Sequence, residues 1–335
     1  MYPDIPLWLS IAFMAIGLAV VSWSSDVFVK GCATAARALG ISPFIIGMVI
    51  VGFGTSAPEL CVSTLSAISG YANLSLGNAY GSNIFNIAVI LAVSALIFPV
   101  AVKSSDCLIS GIGLAAISLL SWWLLCDGSC SRFDAAILIG VFIALLPPYC
   151  LHIQKCGGDG SCHCESCAGS KPWRPAAEIA LGLLLLIGSS HLLVWGAIDF
   201  AKFMHVSDLV IGLTIVAAGT SLPELASAIA AARRREHELV FGNIIGSNFF
   251  NTLLVVGLAA FISPIVPNAS GQRAFSPFIL SQDLPLMTAL SLSIAVFGAN
   301  WKRRGVYGGV KRGTAVVWLL VFLAYSLLIF FREIC

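Results

Sequence analysis

Ten stretches of this chain are long and apolar enough to cross a bilayer, and that requirement leaves few architectures open. They cover residues 6–34, 42–67, 74–101, 107–125, 134–151, 176–203, 207–232, 239–266, 283–299 and 314–331. A spanning helix needs about 20 mostly apolar residues. The chain is 59% hydrophobic and 10% charged, where soluble domains carry about 25% charged residues. An all-α polytopic membrane protein with ten transmembrane helices is expected. No basic patch precedes a short apolar core with a small-residue cleavage site. The first stretch therefore reads as a span, not a removable signal peptide. A net charge of +2 gives no reason to expect a nucleic-acid partner.

Lysine and arginine set the orientation, because cytoplasmic loops carry the excess of both. With the N-terminus outside, 13 of the 18 fall in cytoplasmic loops: Arg37, Lys103, Lys155, Lys171, Arg174, Arg233, Arg234, Arg235, Lys302, Arg303, Arg304, Lys311 and Arg312. The other side holds Arg132, Lys202, Arg273 and Arg332, and Lys30 lies within the first stretch. Loops 152–175 and 233–238 are thus expected in the cytoplasm, and 68–73 outside. The membrane would be a plasma or bacterial inner membrane.

The chain also repeats itself. Shifted by 165 residues, 47–86 aligns with 212–251 without a gap, and 18 of 40 positions are identical. Composition alone would give roughly three or four. The first copy reads GMVIVGFGTSAPEL and then GNAYGSNIFN; the second reads GLTIVAAGTSLPEL and then GNIIGSNFFN. Gly31 matches Gly196, Ser42 matches Ser207, and Pro99 matches Pro264. The predicted organisation is a five-helix repeat over 1–151 (core 42–101), a Cys-rich loop over 152–175, and a second five-helix repeat over 176–335 (core 207–266). Five spans is an odd number, so the second copy enters from the opposite side. The copies become inverted repeats about an axis in the membrane plane, a plan in which ion sites lie at the repeat interface.

Polar residues inside the apolar stretches then carry the chemistry. Asp26, Asp106, Asp134, Asp199, Asp208 and Asp283 sit near span ends, where water or headgroups are expected to reach them. Glu59 and Glu224 lie deep, at equivalent positions. A charge at that depth costs about 2.5–3.5 kcal/mol, and no Lys or Arg lies at comparable depth. The two must be protonated, paired or bound to cations. Pro58 and Pro223 follow Gly54 and Gly219 by four residues, so each ring clashes with that glycine's carbonyl. The helix is expected to open there, freeing carbonyls over 52–55 and 217–220, which survive at depth only against protein or a water-filled cavity. Those carbonyls, the Thr55, Ser56, Thr220 and Ser221 hydroxyls and the two carboxylates form an oxygen-only set. Hard cations such as Ca²⁺ take six to eight oxygens; the lack of His and Cys argues against zinc or copper. Ser82 and Asn86 share a helical face, as do Ser247 and Asn251, and read as further ligands. Gly77, Gly81, Gly242 and Gly246 permit close helix contact. Asn78, Asn83, Asn243 and Asn248 fit ligation and ordinary packing equally well.

GTS-x-PE followed by GN-xx-GSN-xx-N, present twice, resembles the α-repeats of the cation/calcium exchanger superfamily, in particular its compact prokaryotic sodium/calcium exchangers. The resemblance implies antiport of Na⁺ against Ca²⁺ by alternating access, with these ions as cargo and no cofactor. It implies that Glu59, Glu224 and the Thr55 and Thr220 carbonyls hold Ca²⁺. Na⁺ would use the same glutamates with Ser56, Ser82, Ser221, Ser247 and the carbonyls of Gly52 and Ala217. Asn86 matches a central Asn. Asn251 departs from the pattern, since several of these exchangers carry Asp there, and this leaves H⁺/Ca²⁺ exchange as the alternative. An intramembrane protease would need paired Asp or a deep Ser/His set, and deep His is lacking. A channel would normally gather subunits around a pore, not set its axis in the membrane plane.

Other features stand outside this reading. Cys156, Cys162, Cys164 and Cys167 around His163 suit zinc or redox chemistry or a flexible reduced loop. Cys126 and Cys130 are close enough in sequence for a disulfide. Arg233–Arg235 read as a helix anchor at the anionic cytoplasmic surface, or as a lipid site. Asp26 aligns with His191 and breaks the repeat symmetry. The Trp residues fit an interface belt, so lipids are the expected surroundings; protein partners are left open.

Overall fold

The computed structural model describes residues 6–156, 173–204, 217–267, 274–298 and 307–334. Residues 157–172 of the Cys-rich loop, the start of the seventh stretch and the Lys302–Arg304 cluster lie outside the described residues, and the ends of that loop are helical, with Cys156 closing one helix and Trp173 opening the next. In chain order the elements are α1 (Leu7–Leu39), α2 (Pro43–Thr55), α3 (Ala57–Ile68), α4 (Ala72–Ile97), β1 (Val100–Lys103), α5 (Ser104–Leu124), α6 (Arg132–Cys156) and α7 (Trp173–Phe203). They continue with α8 (Ala217–Thr220), α9 (Leu222–Arg233), α10 (His237–Ile262), α11 (Ile279–Gly298), β2 (Tyr307–Val310) and α12 (Arg312–Ile334). Among the described residues eight helices are long and apolar enough to cross a membrane, nine if the bent pair α2 and α3 is one span.

Small residues decide how these helices meet. A Cβ on Gly17 or Gly31 of α1 would lie 2.9 Å from Leu193 or Glu178 of α7, and one on Gly182 of α7 would lie 2.8 Å from the Phe28 backbone. The helices therefore run antiparallel with their backbones nearly touching, the arrangement small residues allow in lipid. Gly111 does the same between α5 and α11, where a Cβ would meet the Ala295 nitrogen at 2.5 Å.

The breaks come where proline requires them. Ser56, between α2 and α3, has φ −81° and ψ 5°; Ser221, between α8 and α9, has φ −91° and ψ 11°. Both lie in the sparsely populated bridge region. Pro58 and Pro223 then fall in the first turn of a new helix, where a missing N–H costs nothing. The bend between α2 and α3 is 44°. It frees less backbone than the sequence suggests. The Ser56 N–H still donates to the Gly52 carbonyl at 3.1 Å and the Leu60 N–H to the Ser56 carbonyl at 3.1 Å. The bonds that cross the break thus pass over the Gly54 and Thr55 carbonyls.

The turns after α3 and α9 are the same turn built twice. The Tyr71 N–H donates to Ser66 and the Gly70 N–H to Ala67; the Glu236 N–H donates to Ala231 and the Arg235 N–H to Ala232. This is the Schellman pattern, whose penultimate residue is left-handed. Gly70 has φ 80° and Arg235 has φ 59°. A side chain in that region costs about 1–2 kcal/mol, which the Arg235 guanidinium offsets in part by lying 5.2 Å from the centre of the Phe98 ring.

Several features were not expected from the sequence. β1 and β2 pair antiparallel, Val100 opposite Val310, and π-helical turns occupy Gly47–Gly52, Asn86–Leu91, Phe250–Val255 and Ile279–Asp283. Asp106 and Asp199 are buried, not open to water, because proximity to a span end says nothing about which neighbour covers it. Cys126 and Cys130 are both free thiols; Cys130 is buried and its backbone pairs with Ile265.

Candidate functional site

Two carboxylates lie in the protein interior with none of their surface exposed. Glu59 falls in the first turn of α3 and Glu224 in the first turn of α9, where the helix dipole favours negative charge. The broken helices put them there, since each break creates a helix start in the middle of an apolar stretch.

The two halves are joined crosswise. Ser56 donates to Glu224 Oε1 at 3.0 Å, and its equivalent Ser221 donates to Glu59 Oε1 at 3.0 Å. Thr55 Oγ1, which donates to the Val51 carbonyl at 2.9 Å, lies 3.5 Å from Asn243 Oδ1, and Thr220 Oγ1 donates to Asn78 Oδ1 at 3.3 Å. Each copy's GTS thus meets the other copy's glutamate and GN asparagine. Ser82 lies 3.2 Å from the Ser221 hydroxyl, and Ser247 donates to the Gly52 carbonyl at 3.4 Å. Asn86 donates to Asn248 Oδ1 at 3.0 Å. Asn251 is fully buried at the start of the π-helical turn in α10. Ala217 opens α8, the segment that ends at Thr220.

Several polar atoms here have no hydrogen-bond partner among the described residues: Glu59 Oε2, Glu224 Oε2, Asn86 Oδ1, Asn83 Oδ1, Asn248 Nδ2 and both amide atoms of Asn251. A buried carboxylate oxygen left unpaired costs at least about 1–3 kcal/mol, so unpaired atoms concentrated on the two motifs need a physical reason. The oxygens among them suit a cation. No group of three His, Cys, Asp or Glu that could hold a metal occurs among the described residues, so a cation here would rely on hydroxyl, amide and carbonyl oxygens beside the glutamates.

Of the asparagines that the sequence left undecided, Asn78 and Asn243 take supporting positions. Asn78 donates to Ser63 at 2.9 Å and to the Glu59 carbonyl at 3.2 Å; Asn243 donates to Ser227 at 3.2 Å. Each holds the helix that carries a glutamate. Asn83 turns to Thr252 at 2.8 Å. Ser63, Ser227 and Thr252 were missed in sequence, although a hydroxyl one turn beyond each glutamate was a usable signal. The π-helical turns start at or beside Asn86 and Asn251; such turns frequently mark functional positions.

Long apolar helices, broken in mid-span around buried oxygens, have the build of a helical membrane transporter. The chain belongs to the sodium/calcium exchanger protein family, which matches residues 9–146 and 176–331. It is 37% identical over 322 residues to the putative antiporter CaxA of Alkalimonas amylolytica, covering 95% of this chain and 98% of that one. It is also 37% identical over 327 residues to the inner membrane protein YrbG of Escherichia coli K12, covering 93% and 96%. Among solved structures it resembles the sodium-calcium exchanger NCX_Mj soaked with Na⁺ and Sr²⁺, with a TM-score of 0.78 and 26% identity over 95% of this chain and 98% of that one.

Proposed function

We propose that this protein exchanges Na⁺ for Ca²⁺ by alternating access, with Glu59 and Glu224 ligating both ions in turn. The observation that carries this is the buried glutamate pair, each with one oxygen held by the other copy's serine and one unpaired. Two carboxylates balance one Ca²⁺ and cannot also neutralise a load of Na⁺, so the ions compete and movement is coupled. Thr55 and Thr220 complete the Ca²⁺ set through their carbonyls; the passed-over Thr55 carbonyl supports this. Ser56, Ser221, Ser82, Ser247 and the Gly52 and Ala217 carbonyls serve Na⁺, with Asn86 and Asn251 between the glutamates. No resident cofactor is needed. In proteoliposomes, an imposed Na⁺ gradient should drive Ca²⁺ flux. Flux that follows a pH gradient and ignores Na⁺ would replace this reading with H⁺/Ca²⁺ exchange, which Asn251 in place of an acid favours.

The architecture is ten spans in two inverted repeats, 1–151 and 176–335, with the 152–175 segment on the cytoplasmic side. Matching breaks, turns and reciprocal hydrogen bonds support this plan. The N-terminus lies outside a plasma or bacterial inner membrane, and 233–238 lies in the cytoplasm. Cysteines introduced at 68–73 and at 233–238 should label from opposite sides; labelling from the same side would end the inverted arrangement.

A further inference from the structure

A groove of about 240 Å³ opens between α1, α7 and α9. Its walls are mainly apolar, including Leu18, Val21, Leu193, Leu225, Ala226 and Ile229. It runs along α9 from Leu222, beside Ser221, to Arg233 at the helix end, about 16 Å at the α-helical rise. Asp26 and Arg233 both line it.

The three consecutive arginines at this end are committed differently. Arg234 Nε donates to Asp26 Oδ1 at 3.2 Å, and Arg235 lies over Phe98. Arg233 is exposed, lines the groove, and has no ion pair with any described residue. Asp26 would repel an anion, but Arg234 balances it, so these three groups leave one positive charge at the mouth. An apolar channel that ends in an unspent guanidinium is complementary to one kind of molecule in a bilayer. We infer that the groove holds an acyl chain of an anionic phospholipid whose phosphate pairs with Arg233.

The chain would lie against Leu222 and Leu225, the neighbours of Ser221 and Glu224, with its headgroup at the basic end. Basic pockets between spanning helices bind headgroups in this way. A hydrated cation would find few oxygens along these walls. A free phosphate would need Arg233 but not the groove, and this separates the two sources of the same chemistry.

The test loads purified full-length protein from vesicles of equal parts phosphatidylglycerol and phosphatidylcholine, then counts retained lipids by native mass spectrometry. Wild type should keep phosphatidylglycerol in preference to phosphatidylcholine. Arg233→Gln should keep about five-fold less phosphatidylglycerol, the loss expected for one basic contact at a membrane surface. Ala226→Phe, which fills the groove, should lower retention of both lipids, and Arg235→Gln should behave as wild type. Unchanged phosphatidylglycerol in Arg233→Gln would overturn the assignment, and because that side chain is exposed the variant should fold. Full retention in Ala226→Phe would also overturn it, since phosphate would then bind without the groove. Lipid retention is read without transport, so its failure is distinguishable from failure of the exchange reading.

Discussion

The two GN-xx-GSN-xx-N helices share their motif and differ in how they are packed. In α10 every residue from Leu239 to Phe250 is buried. A Cβ on Gly242 would lie 2.2 Å from the Phe44 carbonyl oxygen, and one on Gly246 would lie 2.2 Å from that of Met48. In α4 the equivalent Gly77 and Gly81 are half-exposed, as is Asn78, and no described atom lies within 4 Å of a Cβ at either glycine. Thr220, which meets Asn78, is half-exposed, whereas Thr55, which meets Asn243, is buried. Within the described residues one half of the site is clamped; the segment that the repeat places against Gly77 and Gly81, 209–213, lies outside them.

Removing one carboxylate should give the largest effect and should treat the copies alike. Glu59→Gln and Glu224→Gln are each expected to abolish Ca²⁺ flux while the protein still inserts and folds. Wild-type flux from either would mean that the copies are not equivalent at the ions.

The glycines should instead separate the copies. Gly242→Val forces a side chain into backbone and should cost at least about 3 kcal/mol, the upper end of overpacking. Gly77→Val, whose added Cβ would meet no described atom, should cost less than that and should slow exchange by stopping α4 from packing more closely during the cycle. Thermal unfolding in detergent reads the first difference and proteoliposome flux the second. Full flux from Gly77→Val would show that α4 stays uncrowded throughout.

Asn86 and Asn251 offer a finer contrast, because Asn86 is held by Asn248 and both amide atoms of Asn251 are unpaired. With two glutamates already balancing Ca²⁺, Asn251→Asp should steepen the Na⁺ dependence or introduce sensitivity to pH, with little change in half-saturating Ca²⁺. Uptake measured against internal Na⁺ at two pH values decides this. Identical Na⁺ curves at both would remove residue 251 from the ions.

The turns should give the smallest effect. Gly70→Ala is expected to cost about 1 kcal/mol for a side chain in the left-handed region. Arg235→Gly relieves the same strain but gives up a cation–π contact of about 0.5–1 kcal/mol. Its net change should be close to zero in the same unfolding assay.

The sequence made the spans and the doubled motif legible because each is a statement about hydropathy and identity, which need no geometry. Glu59 and Glu224 were readable for a similar reason, since an acid in an apolar stretch needs a purpose. What stayed hidden depends on neighbours distant in sequence. Residues 100–103 pair with 307–310 across some 200 positions, and Asp106 and Asp199 are buried by partners that no local pattern names. The π-helical turns were hidden for another reason: an extra residue in a helical turn leaves no trace in apolar periodicity over six residues. The glycines show both limits at once, because four identical letters predicted close contact and the described structure places only Gly242 and Gly246 in it.

The crosswise bonds between Ser56 and Glu224 and between Ser221 and Glu59 have a consequence for inheritance. A half-length chain with one GTS-x-PE would own a carboxylate without the hydroxyl that meets it, and a hydroxyl without its acid. Such a chain could complete the arrangement only by associating with a second copy. Within the single chain, a substitution at Ser56 or Ser221 is felt first at the carboxylate of the other copy.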